Sequence, residues 1–389
     1  MADSGPARRT RVLMLVDSLY DGTGGAERFA VGLASALPRE RFEPFVCTTR
    51  GAEGSLVEAL DAAGVSHFAL GRRGRFDLFP FGRLTRFLRR GKVDVLHCHK
   101  FGSNVWGTLI GRAARVPVVL AQEHTWSYEG QPLRRLLDGQ LVGRLADRFI
   151  AVSNEDRRRM VEVEGVAPER AITIPTGYVP RASDSGRDLR GELGLGADTP
   201  VVGTVAQLRP QKALDVLITA FARLPGDLGA ARLVIAGDGP SRAALERVAA
   251  DLRVADRLHF LGTRTDLAAV LGGIDVAAMS SDFEGLPLFA FECMAQRTPL
   301  VATRVGGLPD LIDEHSGVLV PRRDPDALAK ALAELLRDPA RRESIADAAE
   351  QRLDGYGMTS IAGRFAELYD TLLAERGVSG RAPSTTTRA

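Results

Sequence analysis

The sequence predicts an α/β protein built as two successive doubly wound units that face one another across a cleft. Its 389 residues exceed what one ordinary core organises and suit two domains of ordinary size. Short apolar runs alternate throughout with segments of helical period, the pattern of parallel sheets joined by crossover helices. Between two such series lies Arg181 to Thr199, rich in Gly, Ser, Asp and Arg and without apolar periodicity, which suits a linker. Ligands of such folds bind outside the carboxyl ends of the strands, so the cleft is where a site is expected.

The first series has strands expected at Arg11–Asp17, Pro44–Thr48, Val93–Cys98, Pro117–Gln122, Arg148–Val152 and Ala171–Pro175. Helices are expected at Ala26–Leu37, Ser103–Ala114, Pro132–Ala146 and Asn154–Val163. Ser153 followed by Asp156 has the spacing of a capping box at the start of the last of these. The second series has strands at Pro200–Ala206, Arg232–Ala236, Arg257–Leu261, Ile274–Met279, Pro299–Thr303 and Gly317–Val320. Its helices are expected at Lys212–Ala222, Ser241–Leu252, Pro287–Gln296 and Asp326–Leu336, with a late helix at Ser360–Glu375. Domain limits of 1–182 and 183–355 follow, and residues 377–389 read as a disordered tail.

Hydrophobic content of 45% and charged content of 26% are those of a globular protein without a bilayer-spanning stretch. The polar N-terminus, Met1 to Arg11, has no apolar signal core, so a cytoplasmic location is expected. Cys47, Cys98 and Cys293 lack disulfide or metal-ligand spacing and read as small buried hydrophobes. The net charge of +2 hides an asymmetry: 27 Lys and Arg against 21 Asp and Glu through Asp184, then 24 against 28. Much of the excess lies in Arg72–Arg75 and Arg83–Lys92, interleaved with Phe76, Phe79, Phe81, Phe87 and leucines. Such a strip is either a solvated helix face or a surface for anionic lipid at the inner face of a membrane. No nucleic-acid-binding module accompanies it.

The segment Ser280-Ser-Asp-Phe-Glu284-Gly-Leu-Pro-Leu-Phe-Ala-Phe-Glu292 places two carboxylates eight positions apart around a strand-to-helix turn. Pro287 fits the first helical position, where its missing N–H is no loss. Amides after Gly285 would open a helix N-terminus able to receive a diphosphate. This segment resembles the E-x₇-E element of retaining, nucleotide-sugar-dependent glycosyltransferases of family 4, which have the GT-B fold of two Rossmann-like domains. The resemblance implies that Glu284 holds sugar hydroxyls, that Glu292 binds ribose hydroxyls, and that Gly285, Leu286 and Leu288 bind the donor. It further implies that the late helix, residues 356–376, crosses back to pack on the first, acceptor-side domain.

Thr204-Val-Ala-Gln-Leu-Arg209-Pro-Gln-Lys212 follows a strand and opens a helix, and two cations over four residues can clamp a pyrophosphate. This is similar to the family's Arg and Lys pair that neutralises the leaving diphosphate. Gln207 and Ala213 depart from the family's Arg and Gly, as does Arg297, where a Gly is usual before Pro299. Ile235-Ala-Gly237-Asp-Gly-Pro240 is a tight turn whose glycines let backbone approach a ligand, and a similar turn in the family lies near the nucleotide. Val305-Gly306-Gly307 resembles the family's glycine pair. Asp324-Pro325-Asp326 reads as a helix N-cap rather than a metal-binding pair.

Asp17-Ser-Leu-Tyr-Asp-Gly22-Thr-Gly24-Gly25-Ala-Glu27 is a glycine-rich loop like the family's Gly-Gly-x-Glu, which implies that Gly24 and Gly25 face the donor phosphates. A dinucleotide-binding loop is the rival, but the spacing is not G-x-G-x-x-G. His97 and His99 alternate along a strand and project to one face, making a poor metal site without a third ligand. The resemblance places them on the acceptor-side wall. His124 matches the family's cleft histidine that contacts the donor sugar, and His99 and Trp126 are candidate acceptor-side residues.

The function so expected is transfer of a hexose-type sugar from a nucleoside diphosphate sugar to an acceptor hydroxyl, with retention and without a metal or other cofactor. Glycan, glycolipid or cell-envelope polysaccharide synthesis is the expected setting, a lipid-linked acceptor suits the basic strip, and the catalytic residues are Glu284, His124, Lys212 and Arg209. The alternatives are a sugar-nucleotide-binding partner protein without turnover and a GT-B nucleotide-sugar epimerase.

Overall fold

The computed structural model describes residues 8–20, 24–74, 77–125, 131–178 and 187–378. The chain forms two compact units, residues 1–179 with 356–389, and residues 180–355.

The first unit runs β1 (Thr10–Val16), α1 (Gly25–Ala36), β2 (Phe42–Thr48), α2 (Ser55–Ala62), β3 (Ser66–Ala69), α3 (Phe81–Arg90), β4 (Val95–His99), α4 (Phe101–Ala114), β5 (Val118–Gln122), α5 (Pro132–Leu137), α6 (Gly143–Leu145), β6 (Arg148–Ala151), α7 (Asn154–Glu162) and β7 (Ala171–Thr173). The seven strands pair in parallel in the order β3-β2-β1-β4-β5-β6-β7. Helices cover both faces, so β4 and β5 are buried at every residue and read in sequence as apolar runs rather than alternations. Ser153 caps α7, its Oγ accepting from the Asp156 amide at 3.0 Å.

The second unit runs α8 (Leu189–Glu192), β8 (Val201–Val205), α9 (Leu214–Ala222), β9 (Arg232–Ala236), α10 (Arg242–Asp251), β10 (Leu258–Gly262), α11 (Leu267–Gly272), β11 (Val276–Met279), α12 (Leu288–Ala295), β12 (Leu300–Thr303), α13 (Leu308–Leu311), β13 (Val318–Val320), α14 (Pro325–Arg337) and α15 (Pro339–Leu353). Its sheet is parallel in the order β10-β9-β8-β11-β12-β13. The last helix, α16 (Met358–Glu375), belongs to the first unit, where Phe365 and Tyr369 are buried beside Phe29 and Phe42 of the α1–β2 layer.

Several elements differ from the sequence expectation. The helix expected over 132–146 breaks at a π-helical turn, Asp138–Val142, where Gly139 is pressed so closely on Glu164 that a Cβ would come within 1.9 Å of its carbonyl oxygen. α8 lies inside the stretch read as a linker, α15 is hidden in the sequence by its polar composition, and α3 forms where the basic strip reads as a helix face. Pro287 sits in extended conformation at the N-cap, and α12 begins one residue later. At the C-terminus, Gly377 takes a left-handed φ of 66° and Val378 donates back to Leu373 O at 3.0 Å, so both residues close α16 rather than begin a tail. Residues 379–389 lie outside the described residues.

The three cysteines are buried free thiols, and burial pushes their pKa values up. Among the described residues no helix is long and apolar enough to cross a membrane.

Candidate active site

In the second unit, two loops at the carboxyl ends of neighbouring strands are bound to each other. A single 3₁₀ turn, Pro210–Lys212, follows β8, and Ser280–Pro287 links β11 to α12. The Asp282 amide donates to Gln211 O at 2.9 Å, Gln211 Nε2 to Phe283 O at 3.3 Å, and Ser280 Oγ to Lys212 O at 3.0 Å. This holds Lys212 Nζ 2.5 Å from Glu284 Oε1, which also accepts from Ser281 Oγ at 2.6 Å. The Glu284 side chain is only 6% exposed and that of Lys212 22%, so the pair is shielded more than a surface ion pair. Glu292, in the second turn of α12, is also buried, which excludes a place on a solvated face. Arg209 is exposed, and among the described residues it has no carboxylate partner.

Glycines brace this arrangement. Gly306 has a φ of 55°, and a Cβ on it would come 1.8 Å from Glu284 O; beside it the Gly307 amide donates to Gly285 O at 2.6 Å. Thr303 Oγ1 donates to Ser281 O at 2.7 Å. Gly237, with a φ of 134°, packs its backbone on Ala206, where a Cβ would lie 1.8 Å from the carbonyl oxygen. Asp324 caps α14, its Oδ1 accepting from the amides of Asp326 and Ala327.

In the first unit, Gly24 caps α1, Gly25 begins it, and Glu27 lies buried in the first turn. Lys100 Nζ donates to Glu27 Oε1 at 2.7 Å. Lys100 holds a φ of 70° and a ψ of 157°, a region that costs a non-glycine residue strain. His99, ending β4, is fully buried, with its Nδ1 3.2 Å from Nε2 of half-buried His124 just beyond β5. His97 Nδ1 lies 2.8 Å from Tyr369 Oη, and the His97 and His99 rings are 4.2 Å apart. Burial drives the pKa of His99 down to about 3 and those of His97 and His124 well below the usual imidazole range, helped by their mutual proximity. At neutral pH the rings are therefore uncharged, and one of His99 and His124 donates while the other accepts. His97 is enclosed against α16 and forms core rather than the wall expected of it. Trp126 lies outside the described residues. Among those residues no group of three His, Cys, Asp or Glu side chains is placed to hold a metal ion.

Two family profiles divide the chain between them. "Glycosyltransferase Family 4" matches residues 23–181 and "Glycosyl transferases group 1" matches residues 186–352. The D-inositol 3-phosphate glycosyltransferase of Kineococcus radiotolerans is 31% identical over 409 aligned positions, covering 92% of this chain and 94% of that protein. The chain belongs to glycosyltransferase family 4. The Corynebacterium glutamicum protein of the same description is 29% identical, with 92% and 94% covered. The fold of this glycosyltransferase is GT-B. The Anabaena protein HepE, solved in complex with UDP-glucose, matches it with a TM-score of 0.80 at 22% identity, covering 93% of this chain and all of that one. Sucrose-phosphate synthase of Thermosynechococcus elongatus matches with a TM-score of 0.75 at 22% identity, covering 94% and 100%.

Two positions where the resemblance implies a glycine have left-handed backbone in this family 4 glycosyltransferase: Ala213 has a φ of 46° and Arg297 a φ of 55°. Arg297 is held there by an acidic row on α15, donating to Asp347 Oδ1 at 2.5 Å and Glu350 Oε2 at 2.6 Å. Sequence reasoning missed Ser280, Ser281, Gln211 and Thr303. Their signal was weak, since Ser, Thr and Gln are ordinary loop residues until the two loops are seen side by side.

Proposed function

We propose that this glycosyltransferase moves a hexose-type sugar from a nucleoside diphosphate sugar to an acceptor hydroxyl with retention at the anomeric carbon. The observation that carries this reading is the buried Lys212–Glu284 pair at the mouth of α12, with Glu292 buried in the next turn. The anomeric carbon–oxygen bond breaks with its electron pair leaving on the diphosphate. The acceptor oxygen attacks the same face and gives its proton to the departing phosphate oxygen. Negative charge grows on the diphosphate in the transition state, where Lys212, exposed Arg209 and the first amides of α12 meet it. Glu284 holds sugar hydroxyls and opposes the positive charge at the anomeric carbon, while Glu292 takes the ribose hydroxyls.

The remaining roles follow from the resemblance. Gly237, Gly285, Leu286 and Leu288 bind the donor, as do Gly24 and Gly25. His124 serves the sugar, with His99 and Trp126 on the acceptor side. Residues 1–182 with 356–376 form the acceptor side and residues 183–355 the donor side. The cations above neutralise the diphosphate without a metal ion. Solved relatives described as complexes with UDP and with UDP-glucose support a uridine donor, and relatives described as D-inositol 3-phosphate glycosyltransferases support a polyol-type acceptor. Incubation with UDP-, GDP- and ADP-sugars, read by nucleoside diphosphate release and by the anomeric NMR signal of the product, tests this. Inversion at the anomeric carbon, or no release from any donor while one binds tightly, would overturn it.

A further inference from the structure

The helix α3 has two faces of opposite chemistry. Phe81, Leu84 and Leu88 are buried, whereas Arg83, Arg86, Arg89 and Arg90 are exposed. Positions 79, 83, 86 and 90 follow the spacing of one helical stripe. Phe79, which leads into the helix, is 90% exposed, and Leu78 is 47% exposed. No acidic residue occurs between Asp77 and Asp94. Among the described residues, Arg83 and Arg89 bind only the backbone carbonyls of Leu70 and Ala113, and none of the four guanidinium groups is paired with a carboxylate.

The exposed helices α7 and α15 carry both signs of charge. In α7, Arg158 and Arg159 pair with Glu155, and the face of α15 turned to Arg297 is acidic. The strip starts near the carboxyl ends of the strands and runs away from them, since Arg89 reaches Ala113 O in the last turn of α4. Phe81, the first residue of α3, stacks at 5.3 Å on Trp106 of α4, the helix that begins two residues after His99. An exposed phenylalanine beside a row of unpaired arginines matches the boundary of an anionic bilayer, where the ring enters the acyl region and the guanidinium groups meet phosphates.

We propose that this strip of the first unit docks reversibly on an anionic lipid bilayer through Phe79, Leu78 and the arginines of α3. The docking surface stands independently of the transfer chemistry.

Co-sedimentation of the full chain with vesicles of phosphatidylcholine alone, and of phosphatidylcholine with phosphatidylglycerol, tests it. Binding is expected to the anionic vesicles only and to weaken as salt is raised. Arg86→Gln with Arg90→Gln should weaken it at least tenfold, and Phe79→Ser should weaken it while leaving its salt dependence unchanged. Nucleoside diphosphate release in solution and the melting temperature should stay at wild-type values in both variants, which separates this result from any failure of the transfer reading. Equal binding to both vesicle types, or unaltered binding by the double variant, overturns the proposal. Retention on heparin without vesicle binding also overturns it, assigning the strip to a polyanionic macromolecule instead.

Discussion

Lys212 Nζ and Glu284 Oε1 form one hydrogen-bonded ion pair, 2.5 Å apart. An incoming diphosphate must therefore share a cation already held in place by its own carboxylate. The cation is preorganised, and its effect is greatest when the leaving group gains charge. Lys212→Ala should lower kcat by about 10²–10³-fold while changing donor affinity far less. It also leaves Glu284 buried without its cation, costing about 2 kcal/mol of stability. Steady-state kinetics with a folded variant, checked by circular dichroism, decide the matter. An unchanged kcat would remove Lys212 from the transition state.

Glu292 is expected to act in binding rather than in chemistry. It is buried one turn beyond the helix mouth. Glu292→Gln preserves the volume but loses the charge-assisted bonds, so calorimetry should show donor affinity reduced about tenfold or more. At saturating donor, kcat should stay within a few-fold of wild type. A large loss of kcat with normal affinity would contradict this assignment.

Arg297 offers a test of backbone strain against ion pairing. Its left-handed φ of 55° costs about 1–2 kcal/mol for a residue with a Cβ, and its exposed pairs with Asp347 and Glu350 offset little of it. Arg297→Ala keeps the strain and loses the pairs. Arg297→Gly loses both, with some loss to the greater freedom of the unfolded chain. The melting temperature of the glycine variant should therefore exceed that of the alanine variant. The reverse order would mean that the left-handed corner costs a residue with a Cβ less than glycine loses to the freedom of the unfolded chain.

The parallel sheets were legible because their strands are buried on both faces and so appear as short apolar runs. Glu284 and Glu292 were legible because their spacing spans a strand-to-helix turn, and the left-handed corner at Arg297 because a glycine was missing where one was due. Elements of mixed polarity were not: β3 is the half-exposed edge strand Ser66–Ala69, and α15 buries little more than Ile345, Ala346 and Ala349. The His99–His124 contact joins the ends of two strands, and the Tyr369–His97 bond joins residues 272 positions apart, so no local pattern announces either. The glycine at 306 was recognised, but its reason, the backbone of Glu284 lying against it, exists only in three dimensions.

The histidine cluster gives a pH dependence with a definite sign. Burial lowers the pKa of His99 to about 3 in the folded state, whereas an unfolded imidazole titrates near 6.5. Above pH 6.5 neither state holds that proton, and the ring's contribution to stability is complete. Between about 6.5 and 3 the unfolded chain binds the proton and the folded chain does not, so stability falls as the pH drops through that window. The slope reaches about 1.4 kcal/mol per pH unit for one ring. His99→Gln removes one such proton, so its stability should fall less steeply than wild type between pH 6 and pH 4.5, by roughly that slope. Carboxylates titrating in the same range are common to both proteins and cancel in the difference. Urea unfolding at several pH values measures it, and parallel curves would show that His99 takes up its proton while the protein remains folded.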